Sequence, residues 1–123
     1  MVNQAQFKNQ KYMSVETYRK SGEGVRTPVW FIERNGEFLF NTEGTSAKVK
    51  RIRRNPAVKI APCDMRGGLK GEFIPATARF LSPAETILAK KSYAKKYGLM
   101  ARILDVFGGS RKSVRVFLAV KPQ

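Results

Sequence analysis

The stretch VRTPVWFIERNGEFLFNT, residues 25–42, decides the fold. Two runs rich in β-branched and aromatic side chains, 25–34 and 37–42, flank Asn35-Gly36. Asn-Gly between apolar strands is a strong hairpin signal, because the tight turn needs positive φ at both central positions. The two runs are therefore expected to pair antiparallel. Working outward, YMSVETYR (12–19) reads as a further strand on the same composition. AVKIA (57–61) and EFIPATARFL (72–81) add two more, split by a turn region at Gly67-Gly68 and Gly71, and SVRVFLAV (113–120) closes the set. Thr45 and Ser46 can cap a short helix that runs to about Arg54 and stops at Asn55-Pro56. Ser82-Pro83-Ala84-Glu85 is a capping box with proline in the first turn. It opens a helix from about 83 to 97, ended by Gly98, and Leu99–Phe107 offers another short helical piece. Six or so short antiparallel strands, one medium helix and one or two short ones make a β-rich α+β domain, most simply a small barrel. Pro28 and Pro75 fall inside predicted strands, where proline marks an edge, a bulge or a gap facing a ligand.

The whole chain, 1–123, is read as one domain, with no repeat, linker or low-complexity tract. Its length supports a single core. Histidine is absent, which removes Ser-His-Asp and Cys-His catalysis and any metal or haem held through histidine. The single cysteine, Cys63, excludes an intramolecular disulfide and fits a reducing compartment. Placed between Pro62 and Asp64, it reads as a small buried residue rather than a redox thiol. No apolar run approaches the roughly 18 residues of a membrane span, and MVNQAQFKNQ lacks a signal-peptide core. A cytoplasmic protein without membrane contact is the expectation.

Charge is the loudest compositional signal. Twenty-four Lys and Arg against nine Asp and Glu leave a formal net charge of +15, which implies an anionic partner. Between Glu43 and Asp64 there is no acidic residue, yet Lys48, Lys50, Arg51, Arg53, Arg54 and Lys59 all fall there. Just ahead of this run a strand ends at Thr42, Gly44 turns the chain, and Thr45 and Ser46 line a helix start. Helix N-termini offer unpaired N–H groups and a positive dipole end, so hydroxyls and cations gathered there suit a phosphate. Lys48 and Arg51 stand three residues apart, on one side of the helix. No Walker-type phosphate loop is present.

The strings KYMSVETYRKSGEGVRTPVWFIERNGEFLFNT (11–42) and SAKVKRIRRNPAVKIAPCDMRG (46–67) resemble the pyridoxamine-phosphate-oxidase-like class of flavin and deazaflavin oxidoreductases. Within that class the chain is most similar to the small subfamily dependent on coenzyme F-420. TPVWF (27–31), SAKVKRIRRNP (46–56), the APC-x-x-RG stretch from Ala61 and KKYGL (95–99) carry the likeness, over roughly residues 11–100. The resemblance implies an FMN-binding type of split β-barrel, a homodimer with two coenzyme sites at the subunit interface, and a small organic substrate. It places Thr27, Pro28 and Val29 along the flavin or deazaflavin ring. It gives Thr42, Ser46, Ala47 and Lys48 to the phosphate, with Lys50 or Arg51 in support, and brings Ala61, Pro62 and Cys63 towards the ring. Many relatives carry glycine where Ala47 stands, a mild change, and the tail after Leu99 matches only loosely.

The implied activity is hydride transfer with a bound coenzyme, deazaflavin coenzyme F-420 ahead of FMN. No side chain is expected as a catalytic base, and no metal. In such proteins the coenzyme carries the chemistry, and the chain supplies binding, orientation and electrostatics. Two other readings fit the composition. One keeps the coenzyme but not catalysis, since fold alone does not fix activity. The other is a basic nucleic-acid-binding barrel, supported by the charge but weakened by the lack of any aromatic side chain in 41–72, because single-strand binders interleave stacking rings with their cations.

Overall fold

The computed structural model describes residues 4–98 and 115–123. A 3-10 turn, Gln4–Phe7, precedes β1 (Tyr12–Tyr18), β2 (Gly24–Trp30), β3 (Ile32–Arg34) and β4 (Glu37–Glu43). Helix α1 (Ala47–Arg54) leads to β5 (Ala57–Cys63) and β6 (Ile74–Phe80), and α2 (Pro83–Tyr97) precedes β7 (Arg115–Pro122). The seven strands form one antiparallel sheet in the order β2-β1-β5-β6-β7-β4-β3. Its two end strands are consecutive in the chain and separated by Phe31 alone, so the sheet curls on itself as a split barrel.

The expected hairpin is there, but shorter. Asn35 and Gly36 take φ of 51° and 79°, as the Asn-Gly turn requires, and β3 pairs with β4 from Ile32↔Leu39 to Arg34↔Glu37. The preceding run does not continue along β4. Gly24–Trp30 instead pairs with β1, from Tyr12↔Trp30 to Tyr18↔Gly24. The break at Phe31 has a cause distant in sequence: side chains of α2 take its backbone groups. Its N–H donates to the Tyr97 hydroxyl at 2.9 Å, and its carbonyl accepts from Lys96 Nζ at 2.8 Å. With those groups occupied, the chain leaves one neighbour strand and joins another.

Inside the barrel, Val15, Phe31, Phe38, Phe40, Ile60 and Leu118 are all fully buried. Phe7 closes one side, its ring 4.7 Å from Phe38 and 5.9 Å edge-on from Phe31. A second cluster forms on the outer face, where Ala89, Tyr93 and Tyr97 of α2 pack on Ile32, Leu39 and Phe117. The capping box expected at Ser82 is present: its hydroxyl accepts from Glu85 N–H, and the Glu85 carboxylate accepts from Ser82 N–H. Gly98 ends the helix at φ +56°. The short helical piece expected at 99–107 lies outside the described residues. Pro28 lies on β2, at one end of the sheet order, as an edge proline should. Pro75 does not: it stands near the start of β6, an inner strand, opposite Lys59, and its carbonyl accepts from Gln123 N–H.

Tyr97 is the bolt of this arrangement. Its ring stacks on Trp30 at 4.4 Å and 5°, and its hydroxyl lies 2.7 Å from the Lys11 carbonyl and 2.5 Å from the Phe31 carbonyl. Tyr97→Phe keeps the stack but strands the buried Phe31 N–H, so it is expected to cost about 1–3 kcal/mol, read by urea unfolding. An unchanged midpoint would show that the hydroxyl does not hold the bend.

Candidate functional site

Helix α1 starts where sequence chemistry placed it. Ser46 sits at the N-cap in extended backbone (φ −66°, ψ 155°), and its hydroxyl accepts from Val49 N–H at 3.3 Å. Val49 and Ile52 are buried and fasten the helix to the barrel. Lys48 flanks that anchored face and is half-buried. Burial, then the neighbouring charges of Arg51 and Arg115, bring its ammonium down to a pKa of about 8. Among the described residues no carboxylate forms an ion pair with it. A half-buried ammonium facing two guanidiniums is costly alone, and an anion placed among the three relieves the cost. Such a cluster is a sound candidate for function.

The supporting cations are held in place. Arg51 Nε donates to Thr17 Oγ1 at 2.7 Å, and Arg115 Nε donates to Asn41 Oδ1 at 2.6 Å. Burial and the charges of Arg19 and Arg54 lower the Arg51 pKa. Arg115 faces Glu43 across β4 and β7, which brings it to the start of α1 from far along the chain. Thr42, one residue earlier on β4, is buried opposite Val116. On the solvent side of α1, Ala47, Lys50 and Arg51 line an open groove of about 390 Å³ with Arg19, Lys20 and Arg54.

The ring-side candidates are arranged differently. Thr27, Pro28 and Val29 on β2 lie opposite Val15, Ser14 and Met13. Ala61 and Pro62 on β5 lie opposite Ser14 and Met13 from the other side, and Cys63 opposite Tyr12. The two triplets therefore flank β1, about 10 Å apart by strand spacing, and do not meet within one chain. Ala61, Pro62 and Cys63 are buried. Burial first, then Asp64, raises the Cys63 thiol pKa, so Cys63 is a small buried side chain and not a thiolate nucleophile. Thr27 Oγ1 is the one side-chain N or O atom among the described residues that is buried without a hydrogen-bond partner. Leaving a hydroxyl in that state costs about 1–3 kcal/mol, which marks a position where a polar group of another molecule would be welcome.

These residues fit a phosphorylated, ring-bearing coenzyme. The charges of Arg51 and Arg115 bear on the Lys48 ammonium beside a helix start, and an orphaned hydroxyl stands on β2, the strand that the family resemblance places along the ring. Sequence reasoning missed Arg115, whose role depends on strand pairing across the barrel. It also missed Arg19, Lys20 and Arg54 as one surface, although Arg19 and Lys20 announce themselves as cations just before the Gly22 turn.

No curated protein matches the chain. Among solved structures, it is similar to HutZ, the heme storage protein of Vibrio cholerae, at 13% identity and TM-score 0.69, covering 97% of this chain and 86% of that one. It is also similar to a FAD-binding protein from Mesorhizobium loti, at 10% identity and TM-score 0.68, covering 97% and 84%. An F-420-H2-dependent reductase matches at 19% identity and TM-score 0.59, covering 89% and 93%. At such identities these likenesses speak for the fold alone. The family model of pyridoxamine 5'-phosphate oxidase matches residues 3–123, nearly the whole length, and the chain belongs to that family.

Proposed function

We propose that the protein is an oxidoreductase that binds a flavin-type coenzyme through its phosphate and moves a hydride between that coenzyme and a small organic substrate. The observation that carries this reading is Lys48: half-buried, without a carboxylate partner among the described residues, and faced by Arg51 and Arg115. In this reading Lys48, Arg51 and Arg115 neutralise the phosphate. The first-turn N–H groups of Ala47 and Lys48, which a helix cannot satisfy internally, and the Ser46 hydroxyl orient it. Thr42, buried near the end of β4, is given to the same phosphate. Thr27 offers its unpaired hydroxyl beside Pro28 and Val29, and the coenzyme itself supplies the hydride chemistry when bound.

Deazaflavin coenzyme F-420 is favoured over FMN, because it carries the larger negative charge and the stretch between Glu43 and Asp64 holds six cations and no carboxylate. A reductase dependent on F-420-H2 stands among the structural neighbours, as does a FAD-binding protein. The working form in this proposal is a homodimer with a coenzyme site at each side of its interface. Within one chain the two ring-side triplets are kept apart by β1.

The test is a fluorescence titration of purified protein with FMN and with coenzyme F-420, each at two salt concentrations. Micromolar or tighter binding, with F-420 ahead of FMN, is expected. Binding of neither coenzyme would remove the proposal.

A further inference from the structure

Helix α2 carries two apolar faces, and the barrel uses one of them. Ala89, Tyr93 and Tyr97, spaced four residues apart, pack on Ile32, Leu39 and Phe117. At about 100° per residue, Ile87, Leu88, Lys91 and Lys95 stand roughly 120–160° round the helix from that stripe. Ile87 is 59% exposed and Leu88 44%, and Lys90, Lys91 and Lys95 are exposed beside them. Lys91 follows Leu88 by three residues and Ile87 by four, so the cation and the apolar pair share one surface. A helix lying on a barrel needs only the inner stripe.

The charge on the outer face is unopposed. From Thr86 to Tyr97 the helix holds four lysines and no carboxylate. Lys96 is drawn inward, its ammonium 2.8 Å from the Gln10 and Phe31 carbonyls. Glu85, the one acid of α2, is already taken by Arg79 and by the Ser82 N–H. Among the described residues no ion pair involves Lys90, Lys91 or Lys95. Whatever covers this face has to accept apolar tips and cations side by side. A nucleic acid would take the lysines and leave Ile87 and Leu88 wet. A second copy meeting the same face would set Lys91 and Lys95 against their own duplicates. An anionic bilayer takes both: apolar side chains enter the acyl boundary, and long lysine stems keep their ammoniums among the lipid phosphates.

We propose that the outer face of α2 docks the protein on an anionic lipid bilayer. The docking is peripheral, since no helix among the described residues is long and apolar enough to cross a membrane. It shares no residue with the Lys48 seat and holds whether or not a coenzyme binds there.

The experiment is flotation of the full chain with vesicles of phosphatidylcholine alone and of an equal mixture with phosphatidylglycerol. The charged vesicles are expected to bind about a hundredfold more tightly, since each lysine near such a surface is worth about fivefold. Salt is expected to narrow that difference. Ile87→Ser with Leu88→Ser is expected to weaken binding about tenfold or more, with urea unfolding unchanged because both side chains are exposed. Lys90→Gln, Lys91→Gln and Lys95→Gln together are expected to cost about a hundredfold. A charge-matched triple beside α1, Arg19→Gln, Lys20→Gln and Arg54→Gln, is expected to cost less than about fivefold. Failure to bind charged vesicles would overturn the proposal. Equal losses from the two triples, or indifference to the serine pair, would overturn it too, because net charge and not α2 would then hold the protein. A smaller sedimentation mass for the serine pair would give the face to a second copy instead. Tighter binding of a single-stranded oligonucleotide than of charged vesicles, lost with the same three lysines, would give it to nucleic acid.

Discussion

Lys48→Met is expected to stabilise the unliganded protein by about 2–3 kcal/mol at pH 7 while weakening phosphate-dependent binding. In the folded chain the Lys48 pKa is about 8, below its ordinary 10.5, because burial and the charges of Arg51 and Arg115 oppose the ammonium. Between those two values the unfolded chain binds the extra proton and the folded chain does not, so the stability of the wild type rises with pH across that window. Below pH 8 both forms are protonated, and the folded protein bears the full cost of the charge. Methionine fills similar space without it. The gain from Lys48→Met should therefore be greatest at pH 7 and below, shrink as pH rises from 8, and vanish near 10.5. Urea unfolding of both proteins at several pH values reads this directly. Destabilisation at pH 7 would mean that Lys48 has a partner that favours its charge. A residue that lowers stability is retained for what it binds, a trade familiar at functional sites.

Phe38→Ala carries the largest structural effect. Phe38 is fully buried, with the Phe7 ring at 4.7 Å and the Phe31 ring at 5.7 Å. It lies next to the Asn-Gly turn on the strand that joins β3 to β7. Removing the ring loses its transfer free energy and leaves a cavity between two other aromatics, at about 3–5 kcal/mol. For a domain this size that corresponds to a Tm lower by roughly 10–20 °C, read by differential scanning calorimetry. A fall of only a few degrees would show that Phe7 and Phe31 collapse into the space, and that the barrel interior is less tightly determined than its burial implies.

What was legible in the sequence was chemistry that acts locally. Asn35-Gly36 specifies a turn whatever surrounds it, and Ser46 and Ser82 cap helices through their own hydroxyls. The strand break at Phe31 was not legible, because what takes the Phe31 backbone groups is Lys96 and Tyr97, far along the chain. The run 25–34 looks continuous because its alternation is unbroken: Val29 and Phe31 face the core, and Trp30 and Ile32 the outer cluster. The site divides in the same way. Ser46, Lys48 and Arg51 share one helix and could be read together. Arg115 joins them through β4–β7 pairing, and Arg19 and Lys20 join through the β1–β2 turn. Long-range pairing of this kind leaves no mark on spacing. Family resemblance supplied the ring-side triplets 27–29 and 61–63, which composition alone gave no reason to link.

The central claim is that Lys48 seats the phosphate of a flavin-type coenzyme. Its most direct test is an equilibrium titration of FMN and coenzyme F-420 against the wild type and Lys48→Met side by side. The account predicts micromolar or tighter binding to the wild type and a loss of about 1–3 kcal/mol in the variant, roughly 5- to 150-fold, with the fold intact by circular dichroism. Equal affinity of the two proteins for either coenzyme would contradict it.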